Sequence, residues 1–150
     1  METQTGILKP DLISLLREET FVFLTTIDAE TKKPQLSVVS WIWATDDGKQ
    51  IKIVTGHKGS SITNIQADPH VVIGTIGPET CYAITGTATV SDIIQRSMKY
   101  RVITVDVTNV EDVMFYGGKL TALPTFEKTY KAELVQKLDA EVKEILLSDE

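Results

Sequence analysis

Between residues 53 and 73 the chain reads IVTGHKGSSITNIQADPHVVI. A β-branched run ends at Val54 and Thr55, and a loop of small residues follows. A stretch with Ile62 and Ile65 three apart then ends at Pro69, as a short helix should. The first turn of such a helix leaves backbone N–H groups unpaired and carries a partial positive charge. Gly56 and Gly59 allow close backbone approach, Ser60 and Ser61 bring hydroxyls, and Lys58 brings a full charge. Together these groups have the chemistry to hold a phosphate. A plainer reading fits the same letters: Ser60 or Ser61 caps the helix, the glycines make the turn and Lys58 is solvated.

Other reactive side chains are sparse. Cys81 is the single cysteine, so it can form neither an intramolecular disulfide nor a cysteine metal cluster, and it reads as a small half-buried thiol. His57 and His70 are the two histidines and lack a carboxylate cluster that would make a metal site. No carboxylate pair, Ser-His-Asp grouping or Cys-His pair is evident. Such a chain suits chemistry borrowed from a cofactor, and it suits a non-catalytic binder equally. Trp41 and Trp43, two apart in an extended run, should face one side as either a stacking wall or packing. Tyr116 and Lys119 in MFYGGKL could reach a partner subunit's ligand or simply anchor a glycine turn.

The elements that must position these groups follow from periodicity. Residues 10–19 begin with Pro10 and repeat Leu12, Leu15 and Leu16 at helical spacing. Residues 21–28 read as a strand and residues 35–45 as one long strand. Asp-Gly within residues 46–49 marks a hairpin into a third strand, QIKIVT. HVVIGTIG, TCYAITGTATVSD and YRVITVDVTNVEDV supply three more strands. A C-terminal helix over residues 130–147 carries Leu134, Leu138, Val142 and Ile145 as its apolar stripe. About six short-spaced strands with peripheral helices predict a mainly β, antiparallel barrel or sandwich rather than βαβ units.

Size and charge narrow the function. The chain has 150 residues, enough for one domain with a real core, and a formal charge of −6 with scattered cations. That balance argues against nucleic-acid and anionic-membrane partners. The N-terminus has no basic region leading into a long apolar segment, and no stretch approaches the roughly 20 apolar residues of a membrane span. A cytoplasmic protein is the expectation.

The order of features, TTID, a proline opening the next strand, the strand-to-helix loop, NIQADPHVVI and ITGTATV, resembles the flavin-binding split-barrel family typified by pyridoxamine 5'-phosphate oxidase. The resemblance spans about residues 20–92, and a VMFYGGK-like segment also occurs in a bacterial branch of small members. It implies a six-stranded antiparallel split barrel with N-terminal, middle and C-terminal helices, its core over about residues 20–115. It further implies a homodimer with FMN at the interface. The family's phosphate contacts fall on Thr55, Lys58, Ser60 and Ser61, and its flavin-ring contacts on Ser37, Val38, Val39 and Ser40. The oxidase itself carries arginine and lysine where this chain has Ser60 and Ser61, and arginine at Ser37. Charge-assisted hydrogen bonds contribute roughly 1.5–3 kcal/mol against about 1 for neutral ones. Losing two cations should therefore weaken phosphate binding by about one to two powers of ten.

Two functions follow from the resemblance. One is an FMN-dependent oxidoreductase of unknown substrate, although the basic residues needed to grip a second phosphorylated molecule are largely missing. The other is a non-catalytic binding or stress-associated barrel that carries a flavin, a heme or nothing; by family analogy a deazaflavin is a further candidate cofactor.

Overall fold

The computed structural model describes residues 4–148. In chain order its elements are β1 (Gln4–Thr5), α1 (Pro10–Leu15), β2 (Val22–Ile27), β3 (Pro34–Val39), β4 (Ile42–Ala44) and β5 (Gln50–Gly56). Then come α2 (Ser60–Ala67), β6 (His70–Ile76), β7 (Cys81–Val90), β8 (Ile94–Gln95), β9 (Lys99–Asp112) and α3 (Ala132–Leu147). Every strand pairing is antiparallel. The mainly β split barrel with three helices is as the sequence implies. The strands exceed six because β1 and β8 add short pairs on β9, and because residues 35–45 form two strands.

That division builds the barrel. The hydrogen-bonded order is β3-β2-β6-β7-β9-β5-β4, so two strands consecutive in the chain stand at opposite ends of the sheet. The sheet curls until the covalent link through Ser40 and Trp41 joins its ends. A single strand over this length cannot pair with β2 and then with β5 without changing neighbours, and the two-residue break is where it changes. The break also shifts the alternation of faces. Val39 packs against the barrel cluster and Val38 is exposed, yet Ile42, not Trp41, returns to the interior. Ile42 and Val38, an even number of residues apart, therefore lie on opposite faces.

Period-two alternation buries one face of each long strand. Val22 and Leu24 of β2, Ile51 and Ile53 of β5, Ile73 of β6, Ile84 of β7, and Ile103 and Val105 of β9 are fully buried in the barrel. Leu12, Leu15 and Leu16 close onto the same cluster from α1 and its end, and Ile62 and Ile65 do so from α2. The helix α1 stops at Leu15, earlier than its apolar spacing implies. In the ITGTATV segment the β7–β9 register shifts at Thr85 and Gly86, where a Cβ on Gly86 would collide with the Asp106 carbonyl oxygen. Only glycine allows β9 to pass so close.

A second apolar cluster lies outside the barrel, between the sheet and α3. Val54, Tyr100, Leu138, Val142, Ile145 and Leu146 form it, with Trp41 and Trp43 packed alongside. Leu134 is 43% exposed, against its assignment to the buried stripe. The first turn of α3 lies beyond the sheet patch, so burial begins a turn later and extends to Leu146. No helix among the described residues is long and apolar enough to cross a membrane.

Candidate functional site

The chain break between β3 and β4 leaves a cleft of about 360 Å³. Val38, Val39, Ser40 and Trp41 form one wall, Val54 and Thr55 at the end of β5 another, and Lys128 and Tyr130 close it from the segment before α3. Four residues marked by sequence for the flavin (Val38, Val39, Ser40 and Thr55) thus converge on one depression.

Ser37, Ser60 and Ser61 meet beside it. The Ser37 and Ser61 hydroxyl oxygens lie 3.4 Å apart, and Gln35 donates from Nε2 to Ser60 Oγ at 2.8 Å. This docks the start of α2 on β3. The hub beneath is Asn64, 3% exposed. Its Nδ2 donates to Thr26 Oγ1 at 3.0 Å and to Gln35 Oε1 at 2.9 Å, and its Oδ1 accepts from the Ala29 amide at 3.0 Å. A buried amide so fully partnered fixes the helix against the β2–β3 hairpin.

The capping reading of the serines is corrected. Gly59 is the N-cap, with φ −63° and ψ 147°, and no side chain caps the helix. The serine hydroxyls turn toward β3 instead; the Ile62 amide donates to the Gly59 carbonyl at 3.1 Å, and the amides of Ser60 and Ser61 carry no side-chain cap. The loop itself is pinned by His57 donating its amide to the Lys99 carbonyl at 3.1 Å, and Lys58 is exposed on it. Thr55 Oγ1 donates to the Gly56 carbonyl at 3.1 Å.

The second wall carries its own electrostatics. Trp41 Nε1 and Lys128 Nζ both donate to Asp139 Oδ1, at 3.0 and 2.6 Å, and Lys128 also lies 5.7 Å from the Trp41 ring centroid. Trp43 is flanked by the Arg17 guanidinium at 4.3 Å and Lys143 at 5.1 Å. Both tryptophans therefore serve as packing under α3, and Trp41 also forms part of the cleft. Behind them the phenol of fully buried Tyr100 donates to Glu141 at 2.9 Å; burial first, and then that bond, pushes it well above its ordinary range.

Residues missed by sequence reasoning are Gln35, Asn64, Arg101, Lys128 and Tyr130. Arg101 stands directly across from Thr55 in the β5–β9 ladder, and its Nε is buried without a hydrogen-bond partner among the described residues. Lys128 and Tyr130 sit in an irregular segment whose course no local pattern predicts; the paired basic and aromatic letters in FEKTY were the available signal. Tyr116 is fully exposed and Lys119 faces Glu79 at 3.7 Å, and neither lines the cleft. His70 Nδ1 lies 2.9 Å from Asp68 and away from the cleft lining. Among the described residues no group of three or more His, Cys, Asp or Glu could hold a metal ion.

A family model described as Pyridoxamine 5'-phosphate oxidase matches residues 8–113. No curated protein sequence matches the chain significantly. Among solved structures, a candidate pyridoxamine 5'-phosphate oxidase from Lactobacillus delbrueckii is similar at TM-score 0.60 and 18% identity, covering 71% of this chain and 94% of its own. HupZ from Group A Streptococcus has TM-score 0.60 and 14% identity, covering 77% of this chain and 100% of its own. General Stress Protein 26 from Bacillus anthracis has TM-score 0.53 and 14% identity, covering 65% and 87%. At such identities the likeness is one of fold.

Proposed function

The chain belongs to the pyridoxamine 5'-phosphate oxidase family, and on that premise we propose that it binds FMN in the cleft between β3, β5 and the segment before α3. The observation that carries this reading is the convergence of Val38, Val39, Ser40 and Thr55 on one cleft, with Ser37, Ser60 and Ser61 gathered beside it. The ring would lie along residues 37–40, and the phosphate would sit against Thr55, Lys58, Ser60, Ser61 and the uncapped start of α2. The buried, unpartnered Nε of Arg101 beside Thr55 fits an anionic group, because an orphaned donor of this kind is costly unless a ligand completes it.

A flavin bound here supplies electron or hydride transfer, which fits a flavin-dependent oxidoreductase. The protein's own part is positional. Val38, Val39, Trp41 and Val54 give an apolar bed for a planar ring, Ser40 offers a hydroxyl at its edge, and Tyr130 with the Lys128 stem limits water from the open side.

We further read the chain as a homodimer. Leu36 and Val38 on the edge strand β3 are 61% and 58% exposed, and Val72 on β6 is also exposed. Leu36, Thr25 and Val72 stand in one row across β3, β2 and β6. A second copy on this face would cover Val38 and so complete the cleft's outer wall.

Non-catalytic flavin carriage is the alternative, favoured by a cleft lining that contains no His, Cys, Asp or Glu. The same lining speaks against heme, since neither histidine lines it. Titration of the purified protein with FMN, followed by absorbance, tests the main reading. Saturable binding that Lys58→Ala weakens supports it, and no binding at high micromolar FMN defeats it. Flavin that binds but is not reduced by NADH or NADPH would select carriage over turnover.

A further inference from the structure

The phosphate end of the site reached above is short of cations: Ser60 and Ser61 are neutral, Lys58 is exposed, and Lys128 on the opposite wall is paired with Asp139. Across the ladder from Thr55, however, stands Arg101. Directly opposed residues on antiparallel strands place their Cβ atoms about 4.5–5.5 Å apart on one face. That face is settled by the neighbours two residues on. Ile53 and Ile103 are both fully buried in the barrel cluster, whereas Tyr100 and Val102 pack on the α3 side. Thr55 and Arg101 thus share the barrel-side face where β5 runs out into the Gly56–Gly59 loop.

The guanidinium there is unfinished. Its Nε is buried with no hydrogen-bond partner, and no carboxylate forms an ion pair with it, among the described residues. By contrast Arg17 donates to the Ala44 carbonyl and to Asp46, and Arg96 faces Glu144. Five donors set in a rigid fork match a phosphate. A partly buried arginine whose Nε has no partner among the described residues, set across from Thr55 where β5 enters the loop, offers donors suited to an anion.

We propose that Arg101 is the principal anion-binding cation of this site, holding the cofactor's phosphate from β9 in place of cations on α2. The inference rests on the flavin reading but makes separate claims. Charge in this chain is carried on the neighbouring strand, so phosphate recognition and ring recognition are separable.

The test compares wild type with Arg101→Met and Arg101→Lys, titrating each with FMN and with riboflavin, which lacks the phosphate. Arg101→Met should weaken FMN roughly ten- to a hundredfold, the range of one or two charge-assisted bonds, and leave riboflavin unchanged. Arg101→Lys should recover part of the loss. FMN affinity unchanged, or FMN and riboflavin weakened together, overturns the role of Arg101 while the flavin reading stands. If wild type binds neither flavin, the flavin reading fails, and inorganic phosphate becomes the probe. A phosphate-dependent rise in Tm seen in wild type and lost in Arg101→Met keeps the anion site; an equal response in both overturns it. Without ligand, Arg101→Met should melt no lower than wild type, because the orphaned donor is removed. A large drop would make Arg101 a structural residue and overturn the proposal.

Discussion

Trp41 Nε1 donates to Asp139 Oδ1 at 3.0 Å, tying the break between β3 and β4 to α3. The same carboxylate oxygen accepts from Lys128 at 2.6 Å, so one side chain holds the strand link, the closing segment and the helix together. Asp139→Ala leaves both donors without it. We expect a loss of about 1–3 kcal/mol in urea unfolding, with a weaker FMN affinity because Lys128 and Tyr130 lose their anchorage. Trp41→Phe should cost less at Asp139, since Lys128 still satisfies the carboxylate. Equal stability of Asp139→Ala and wild type would show that α3 is held by apolar packing alone.

Asn64→Asp is nearly isosteric and should still be damaging. It replaces the Nδ2 donor facing Thr26 and Gln35 with an acceptor and buries a charge. A loss of about 2–3 kcal/mol is expected, with FMN affinity falling because Ser60 and Ser61 are positioned through this amide. A variant with normal stability and normal FMN titration would remove Asn64 from the site's support.

The pH dependence has two limbs with opposite origins. The Ser97 hydroxyl first, and then the Tyr100 phenol, hold the Glu141 carboxyl below its ordinary 4.5. Its contribution is therefore present above pH 4.5 and lost as pH falls through the lowered folded value. Burial raises Tyr100 above its ordinary 10.0, so its contribution holds below pH 10 and fades as pH rises beyond it. Thermal melts across pH should show a shallower acid limb for Glu141→Gln and a shallower alkaline limb for Tyr100→Phe. Unaltered limbs in both would place the titrating groups elsewhere.

Leu36→Glu sets a charge beside the exposed Val38 and in the row that Leu36 shares with Thr25 and Val72. Sedimentation velocity should report a dimer for wild type and a monomer for the variant, with FMN binding reduced as Val38 loses its cover. A wild-type monomer, or a variant dimer of unchanged mass, would rule out this face.

Much of the molecule was legible in its letters. β-Branched and aromatic runs marked β2, β5 and β6, period-two alternation marked β7 and β9, Asp-Gly marked the β4–β5 hairpin with Gly48 at φ 72°, and Pro10 opened α1. The phosphate-like loop was visible as small residues between a strand and a helix. These are local signals, because turn chemistry and periodicity act over a few neighbouring residues. The break at Ser40 and Trp41 was not visible, since nothing nearby says that one β-branched run will serve two partners. Nor does a serine's identity say whether it caps its own helix or reaches Gln35 and Ser37 on another strand. Arg101 reads as one more scattered cation until the β5–β9 register sets it beside Thr55 and leaves its Nε unpartnered. Lys128 and Tyr130 join the cleft only because α3 packs on Val54 and Tyr100 and draws the preceding segment across it. Secondary structure is set by nearest neighbours along the chain, whereas the site depends on strand register and on which polar groups burial leaves unpaired, and both of those are decided by residues far apart in sequence.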